Sequence, residues 1–409
     1  MNTIDVLKQR GFFKQCSDEE KLANLLNNKR ISAYCGFDPT SDSLQIGNLI
    51  PIMVLSHLQR CRHKPIVLIG SGTTMIGDPS GKTEMRKMIT KETIDFNAAH
   101  FKKQMNRFID FSDDKAIMVN NADWLMDINY ISFLRDIGVH FSVNRMIAAE
   151  AYKIRMETGL SFIEFNYQIL QAFDFYHLNK THNCVLQVGG DDQWGNILAG
   201  VELTRRKSNK EVYALTFPLI TTSDGKKMGK TEKGAVWLAK EKTPIYDYYQ
   251  FWVNVTDKDV VRFLKMFTYM ELNEIARYEK IQGEELRDIK HILAFETTKI
   301  LHGEEEAKKA QASAKAIFSK KGSDFTLIPT TELDLSNLET GIPVIDFFHS
   351  CGLCASRSDA RRLIQQGGGY INESRIENIE TQISKSNLTD NGIFLRAGKK
   401  KVHRIIISE

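Results

Sequence analysis

Short runs rich in apolar and β-branched residues recur along the first half of the chain, at 31–37, 65–70, 115–120, 183–189 and 212–218. Between them apolar positions fall at helical spacing, over 48–61, 91–109, 162–178 and 193–206. Strands of that length alternating with helices of ten or more residues predict an α/β fold, a doubly wound parallel (Rossmann-like) sheet. Ligands on such sheets lie at the carboxyl ends of the strands, where strand order switches. Beyond about 243 the short runs stop, and 243–320 reads as helices with charged faces. A stretch rich in Gly, Ser, Asp, Pro, Thr and Asn follows and reads as a linker. The pattern therefore predicts an α/β domain over 1–222, an α-helical domain over 223–320, a linker over 321–340 and a small α+β unit over 341–409.

Composition narrows the class without naming it. Of 409 residues, 42% are hydrophobic and 26% charged, which excludes a disordered or fibrous chain. A net charge of +4 favours no partner, so the placement of charge matters more than its sum. The opening MNTIDVLKQR has no apolar run behind its basic residues, and no stretch reaches the ~18 apolar residues of a membrane span. A cytoplasmic protein with no membrane partner is expected. The six cysteines are scattered except for Cys351-Gly-Leu-Cys354, where His349 is the only further ligand nearby. A structural zinc site needs four ligands, so these read as reduced thiols, and no metal site is predicted.

Five segments could carry chemistry. Gly77-Asp-Pro-Ser-Gly81-Lys82-Thr83 resembles a P-loop but has Ile76 where the first glycine belongs. Its Lys82 and Arg86 can still fold over phosphates as cations on a loop. Tyr34-Cys35-Gly36-Phe37-Asp38-Pro39-Thr40 leads through Gln45-Ile46-Gly47-Asn48 into a helix. There Gly47 allows close approach to the backbone, and the helix start offers free N–H groups; read alone, it is an ordinary strand–turn–helix junction. Tyr167, Gln171 and Asp174 share one helical face by their spacing of four and three, and a polar face is most often simply solvated. Gly189-Gly190-Asp191-Asp192-Gln193-Trp194-Gly195-Asn196 runs from strand to helix, with exposed backbone and groups suited to ribose hydroxyls or an amino group; an N-capping aspartate is the plainer reading. Ser223-Asp-Gly-Lys226-Lys227-Met228-Gly229-Lys230-Thr231 is a basic loop that is either a solvated turn or a phosphate clamp.

Taken together in this order, the segments resemble the class I aminoacyl-tRNA synthetases, and within them the bacterial tyrosyl-tRNA synthetases. Pro39–Asn48 is similar to the family's H-I-G-H segment and Lys227–Thr231 to its K-M-S-K-S segment. The resemblance covers nearly the whole chain. It implies activation of L-tyrosine with ATP to tyrosyl-adenylate, with Mg²⁺ accompanying ATP, and transfer to the 3′ end of tRNA. It implies that Tyr34 and Asp174 bracket the phenolic hydroxyl. Asp78, Tyr167 and Gln171 would hold the α-ammonium, with Gln193 near the carboxylate. Cys35, Gly190 and Asp192 would contact the adenylate ribose, and Gly36, Asp38, Thr40 and Gly47 would line the ATP side. Lys82, Arg86, Lys227, Lys230 and Thr231 would engage the departing pyrophosphate. Gln45 and Asn48 stand where the family's motif has histidines. No side-chain base is required, because the substrate carboxylate is itself the nucleophile; the site has to position reactants and stabilise phosphate charge.

The C-terminal unit carries Ala355-Ser-Arg357-Ser-Asp-Ala-Arg361-Arg362 followed by a glycine turn, and a basic tail with Lys399, Lys400 and Lys401. It resembles a small RNA-binding module shared with a ribosomal protein, and a clustered basic stripe is the footprint expected for RNA. The family is homodimeric, and the segment 130–162, with Phe133, Phe141 and Met146, is apolar enough to supply an interface. Two alternatives stay open at this point: a tryptophanyl-tRNA synthetase, which shares fold and motifs, and a non-catalytic RNA-binding relative, suggested by the missing histidines.

Overall fold

The computed structural model describes residues 2–80, 89–148, 150–223, 225, 228–231, 234–316, 328–372, 374–389, 391–398 and 401–407. The chain divides into two compact units. The first comprises Met1–Lys230, Ala235–Ala239 and Thr256–Ile281, and the second Thr231–Gly234, Lys240–Val255 and Gln282–Glu409.

The first unit is built on a six-stranded sheet of β1 (Gln15–Cys16), β2 (Ser32–Phe37), β3 (Lys64–Ile69), β4 (Ile117–Asn120), β5 (Cys184–Gly190) and β6 (Tyr213–Phe217), in the order β1-β6-β5-β2-β3-β4. All neighbours are parallel except the short edge strand β1, which runs antiparallel to β6. The chain passes outward from β2 through β3 to β4, then crosses back to β5 beside β2. The strand order therefore switches between β2 and β5, and their carboxyl ends part to leave a crevice. The five strands expected from the sequence are present, and β1 is additional.

Helices α1 (Leu49–Arg60), α2 (Lys91–Met105), α3 (Phe162–His182) and α4 (Trp194–Ser208) fill the connections. Helix α3 starts with a capping box: the Ser161 side chain caps the helix, and Glu164 Oε2 accepts from the Ser161 N–H at 3.1 Å. It ends on Asn183, in the left-handed conformation at φ 49°. The aromatic and aliphatic core around Tyr34, Ile66, Phe175, Leu178 and Cys184 joins α3 to the sheet.

Two boundaries differ from those read in the sequence. Residues 256–281 belong with the first unit, so 223–320 is not one domain. The helix Val260–Phe267 buries Val260, Phe263, Leu264 and Phe267 on one side. The Arg10 guanidinium donates to the carbonyls of Lys265, Thr268 and Met270, at 2.9, 3.0 and 2.8 Å. The polar stretch 321–340 is also not all connector. Thr330–Leu333 pairs in parallel with Lys401–Ile407, at the edge of the second unit's five-stranded sheet. This edge strand is half-buried on one face and exposed on the other, so polar residues are tolerated along it and it reads as linker.

In the second unit, helices Ile245–Val253, Glu285–His302 and Glu304–Ala316 pack together. The C-terminal part packs helices Val344–Ser350 and Arg357–Gln365 with the sheet over Phe348, Ile364, Ile393, Leu395 and Ile405. Cys354 lies in this core and Cys351 packs against it. Among the described residues no helix is long and apolar enough to cross a membrane.

Candidate active site

The crevice at the strand-order switch is a cavity of about 310 Å³, lined from the carboxyl ends of β2 and β5 and from α3. It brings together Tyr34, Cys35, Gly36, Asp38, Thr40, Gly47, Asn48, Asp78, Tyr167, Gln171, Asp174, Gly190, Asp192 and Gln193. All were expected in the site. Gln45 is half-buried and does not line the cavity. Its N–H donates to Asn48 Oδ1 at 2.9 Å, and its backbone forms an antiparallel bridge to Trp237. Lys82, Arg86 and Lys227 fall outside the described residues, and of Lys230 and Thr231 only the backbone is described.

At one end of the cavity Tyr34 is fully buried, and its hydroxyl has no hydrogen-bond partner. Burial, with the nearby Asp174 carboxylate second, pushes its pKa well above the ordinary phenol value. Asp174 is 1% exposed. Burial lifts its carboxyl to about 7 although two donors oppose the rise. Trp124 Nε1 donates to Oδ1 at 2.8 Å and Asn121 Nδ2 to Oδ2 at 3.0 Å.

The middle of the cavity holds two carboxylates. Tyr167 donates its hydroxyl to Asp38 Oδ2 at 3.1 Å, and Thr73 donates to Oδ1 at 3.0 Å. Asp78 accepts from the Ser80 N–H at 2.9 Å and from Gln193 Nε2 at 2.8 Å. Burial, then the charge on Asp38, raises its pKa to about 6. Gln171 Oε1 is buried without a partner. Two carboxylates and an amide oxygen in a partly desolvated cleft favour a cation between them.

At the far end, Gly190 leaves no room for a side chain: a Cβ there would lie 2.4 Å from Asp192 Oδ1 and 3.1 Å from Leu219. Gly47, by contrast, faces open space, with no atom within 4 Å of a built Cβ. The loop between β2 and α1 is held by α2, where Asn97 donates to Pro39 O at 2.9 Å and Gln104 accepts from the Leu44 N–H at 2.9 Å. It is also zipped to 236–238, through Ile46 N–H to Val236 O at 3.1 Å and Leu238 N–H to Leu44 O at 2.8 Å. Gly229, at φ 79°, sits against this loop; a Cβ there would be strained and 3.2 Å from Ile46 Cβ. Cys35 is buried, and burial raises its thiol to about 12, so it stays neutral and is no nucleophile.

Asn121, Trp124, Thr73 and Gln187 belong to this site although the sequence reading passed over them. Asn121 and Trp124 follow the end of β4 directly, and a polar residue at a strand's carboxyl end was the available signal. Asn121 also accepts from the Gly72 N–H at 2.8 Å and donates to Thr73 Oγ1 at 3.1 Å, so one amide ties three segments together.

Helix α3 is anchored below the site by a buried ion pair, Arg155 Nη2 to Glu164 Oε2 at 3.1 Å, with both side chains under 5% exposed. Arg155→Met strands the Glu164 charge in the interior. It is expected to cost about 3–5 kcal/mol, read as a lower denaturant midpoint at unchanged slope.

In the C-terminal part, Arg357, Arg361 and Arg362 are exposed on one helix. Arg357 pairs with Asp346 at 2.6 Å and Arg362 pairs with Asp359, whereas Arg361 pairs with no carboxylate among the described residues. Lys401 donates to Leu353 O at 3.2 Å, while Lys399 and Lys400 lie outside the described residues.

Comparison with known proteins agrees with this geometry. Residues 26–319 match the family described as tRNA synthetases class I (W and Y), so fold and site define a synthetase of that class. Residues 323–405 match the tyrosine--tRNA ligase SYY-like C-terminal domain. A tyrosine--tRNA ligase of Clostridium botulinum is 51% identical over 407 residues, covering 100% of both chains. One of Caldanaerobacter subterraneus is 52% identical over 409 residues, again covering 100% of both. A C-terminally truncated mitochondrial tyrosyl-tRNA synthetase of Aspergillus nidulans superposes with a TM-score of 0.70 at 29% identity, covering 78% of this chain and 94% of that one. The chain belongs to the tyrosine--tRNA ligase family, a family of ATP-dependent enzymes. The tryptophanyl and non-catalytic alternatives therefore fall away.

Proposed function

We propose that the cavity binds L-tyrosine with its phenol between Tyr34 and Asp174 and its α-ammonium among Asp78, Tyr167, Gln171 and Asp38. The observation that carries this reading is the buried Tyr34 hydroxyl without a partner beside a buried carboxylate. Together they offer one donor and one acceptor to a ligand hydroxyl in a site poor in water. Asp38 was expected on the ATP side; its bond from the Tyr167 hydroxyl favours a second role at the ammonium.

Gln193 lies between Asp78 and the end of β5, where it reaches the substrate carboxylate. ATP lies along Cys35, Gly36, Thr40, Gly47 and Asn48, with its ribose at Gly190 and Asp192. The tyrosine carboxylate oxygen forms a bond to the α-phosphorus as the bond to the pyrophosphate oxygen breaks. No proton moves in that step. Lys82, Arg86, Lys227, Lys230 and Thr231 supply cations and a hydroxyl to the leaving phosphates. Gln45 orders the loop through its backbone and stands beside Asn48 as a neutral donor. Mg²⁺ would accompany ATP and add positive charge to its phosphates. In the second step the 3′ hydroxyl of tRNA attacks the tyrosyl carbonyl and releases AMP, with Arg357, Arg361, Arg362 and Lys399–Lys401 holding RNA phosphates.

The protein works in the cytoplasm as a homodimer. Tyr130, Ile131, Val139, Val143, Met156 and Phe162 are each more than half exposed and form the apolar face for this. Of Phe133, Phe141 and Met146, named for this role from the sequence, Met146 is buried in a cluster with Ile169, while Phe133 and Phe141 are half-buried against that cluster.

ATP–pyrophosphate exchange tests the reading. Tyrosine should drive exchange, while tryptophan and a no-amino-acid blank should not. A folded protein giving no tyrosine signal above the blank overturns it.

A further inference from the structure

Trp124 and Asp174 come from different elements, yet their hydrogen bond at 2.8 Å requires the indole edge to point at one carboxylate oxygen. An indole turns readily about its second side-chain torsion, and a swing of a few tens of degrees weakens such a bond steeply. Something must hold the ring. Part of the restraint is the core around Tyr34, Phe175 and Leu178, against which Trp124 packs. The rest is His177, whose imidazole lies 4.3 Å from the indole ring centre and only 14° from its plane.

His177 stands three residues after Asp174 on α3, so the two share a face one turn apart. The helix that supplies the carboxylate thus also supplies the surface that aligns the carboxylate's donor. Behind the imidazole, Phe173 lies at 6.2 Å and 52°, itself edge-on to Phe133 at 5.3 Å and 86°. Burial, then the charges of His182 and Lys180, lowers the pKa of His177, so the stack is between neutral rings at physiological pH. No other use for His177 is evident: it does not line the cavity.

We propose that His177 is a positioning residue for substrate recognition, its imidazole stacked flat on Trp124 so that the indole N–H stays aimed at the carboxylate that reads the tyrosine hydroxyl. This rests on the assignment of Asp174 above. It predicts an effect confined to the hydroxyl. A substrate that lacks the hydroxyl gains nothing from a well-aimed Asp174 and loses nothing when the aim is relaxed.

The test is pyrophosphate exchange by the full-length chain with tyrosine and, separately, phenylalanine. His177→Ala should lower kcat/KM for tyrosine by about 3–10-fold, the scale of one lost aromatic pair. The loss should appear in the tyrosine KM, with the KM for ATP and the phenylalanine kcat/KM unchanged. His177→Phe, which keeps a flat ring, should recover to within about twofold. In a Trp124→Phe background, where the N–H is gone, His177→Ala should cause no further loss. If His177→Ala does not fold, His177→Leu serves, filling the volume without a flat ring and giving the same loss.

Wild-type tyrosine kinetics in His177→Ala, an equal loss for phenylalanine, or the same fold-loss in the Trp124→Phe background would each overturn the proposal. Asp174→Asn separates it from the reading beneath. If that variant still selects tyrosine, the functional assignment of Asp174 fails; if it does not while His177→Ala behaves as wild type, only the positioning role fails.

Discussion

Removal of residues 330–409 is expected to leave tyrosyl-adenylate formation within about threefold of the intact chain and to lower tRNA charging by about 100-fold or more. Every residue lining the cavity lies at or before Leu219, in the first unit. The substrates of the first step therefore lose no contact. On the proposed RNA role, the second step loses Arg357, Arg361, Arg362 and the basic tail. Each phosphate contact contributes about 0.7–0.9 to the slope of log affinity against log salt, so six lost contacts should flatten that slope by about 4–5. A cut at 341, where the sequence pattern places the boundary, would be a poorer test. It leaves Thr330–Leu333 without its partner Lys401–Ile407, an unpaired edge that invites aggregation. Charging measured across a salt series is the check. Equal charging and an equal slope for the truncated chain would remove the RNA-binding role of this part.

What the sequence made legible follows from where its information is local. Tyr34, Gly190 and Gln193 lie within a few residues of a strand's carboxyl end, and Tyr167, Gln171 and Asp174 share a helical face. Strand-end position and helical spacing can both be read in one dimension. Asn121 and Trp124 also follow a strand, but an Asn-Ala-Asp-Trp segment has no chemistry of its own. It acquires a role because β4 sits beside β3, which brings it to α3. The helix Val260–Phe267 has the same apolar period whichever unit it joins, and only its packing and the reach of Arg10 settle the matter. For the segment 130–162, composition showed an apolar excess but not its direction. Met146 turns inward and Phe133 is half-buried, while Ile131 and Phe162 remain outside.

Asp174→Asn is expected to lower tyrosine kcat/KM by about 10²–10⁴-fold while changing the thermal midpoint at pH 8 by no more than about 2–4 °C. Both carboxylate oxygens already accept, one from Trp124 and one from Asn121. An amide in the same place turns one acceptor into a donor, so one of those two donors must face an N–H. The charged acceptor for the substrate hydroxyl is lost as well. A hydrogen bond to a charged group is worth about 1.5–3 kcal/mol, and a substrate hydroxyl left buried without its acceptor costs about 1–3 kcal/mol, which together give the range above. Stability responds differently. Burial raises the folded-state pKa of Asp174 to about 7, above its unfolded value, so its favourable contribution is present at low pH and is lost as pH rises through about 7. Above that pH the carboxylate is a burden on the fold, and the neutral amide relieves it, offsetting the donor clash. The same titration gives a second signature. On the role proposed for Asp174 it is the ionised form that accepts the phenol, so the wild-type KM for tyrosine should rise as pH falls through about 7, and this limb should be absent in Asp174→Asn. Unchanged tyrosine kinetics in the variant, or the same pH limb in both proteins, would show that Asp174 does not read the hydroxyl.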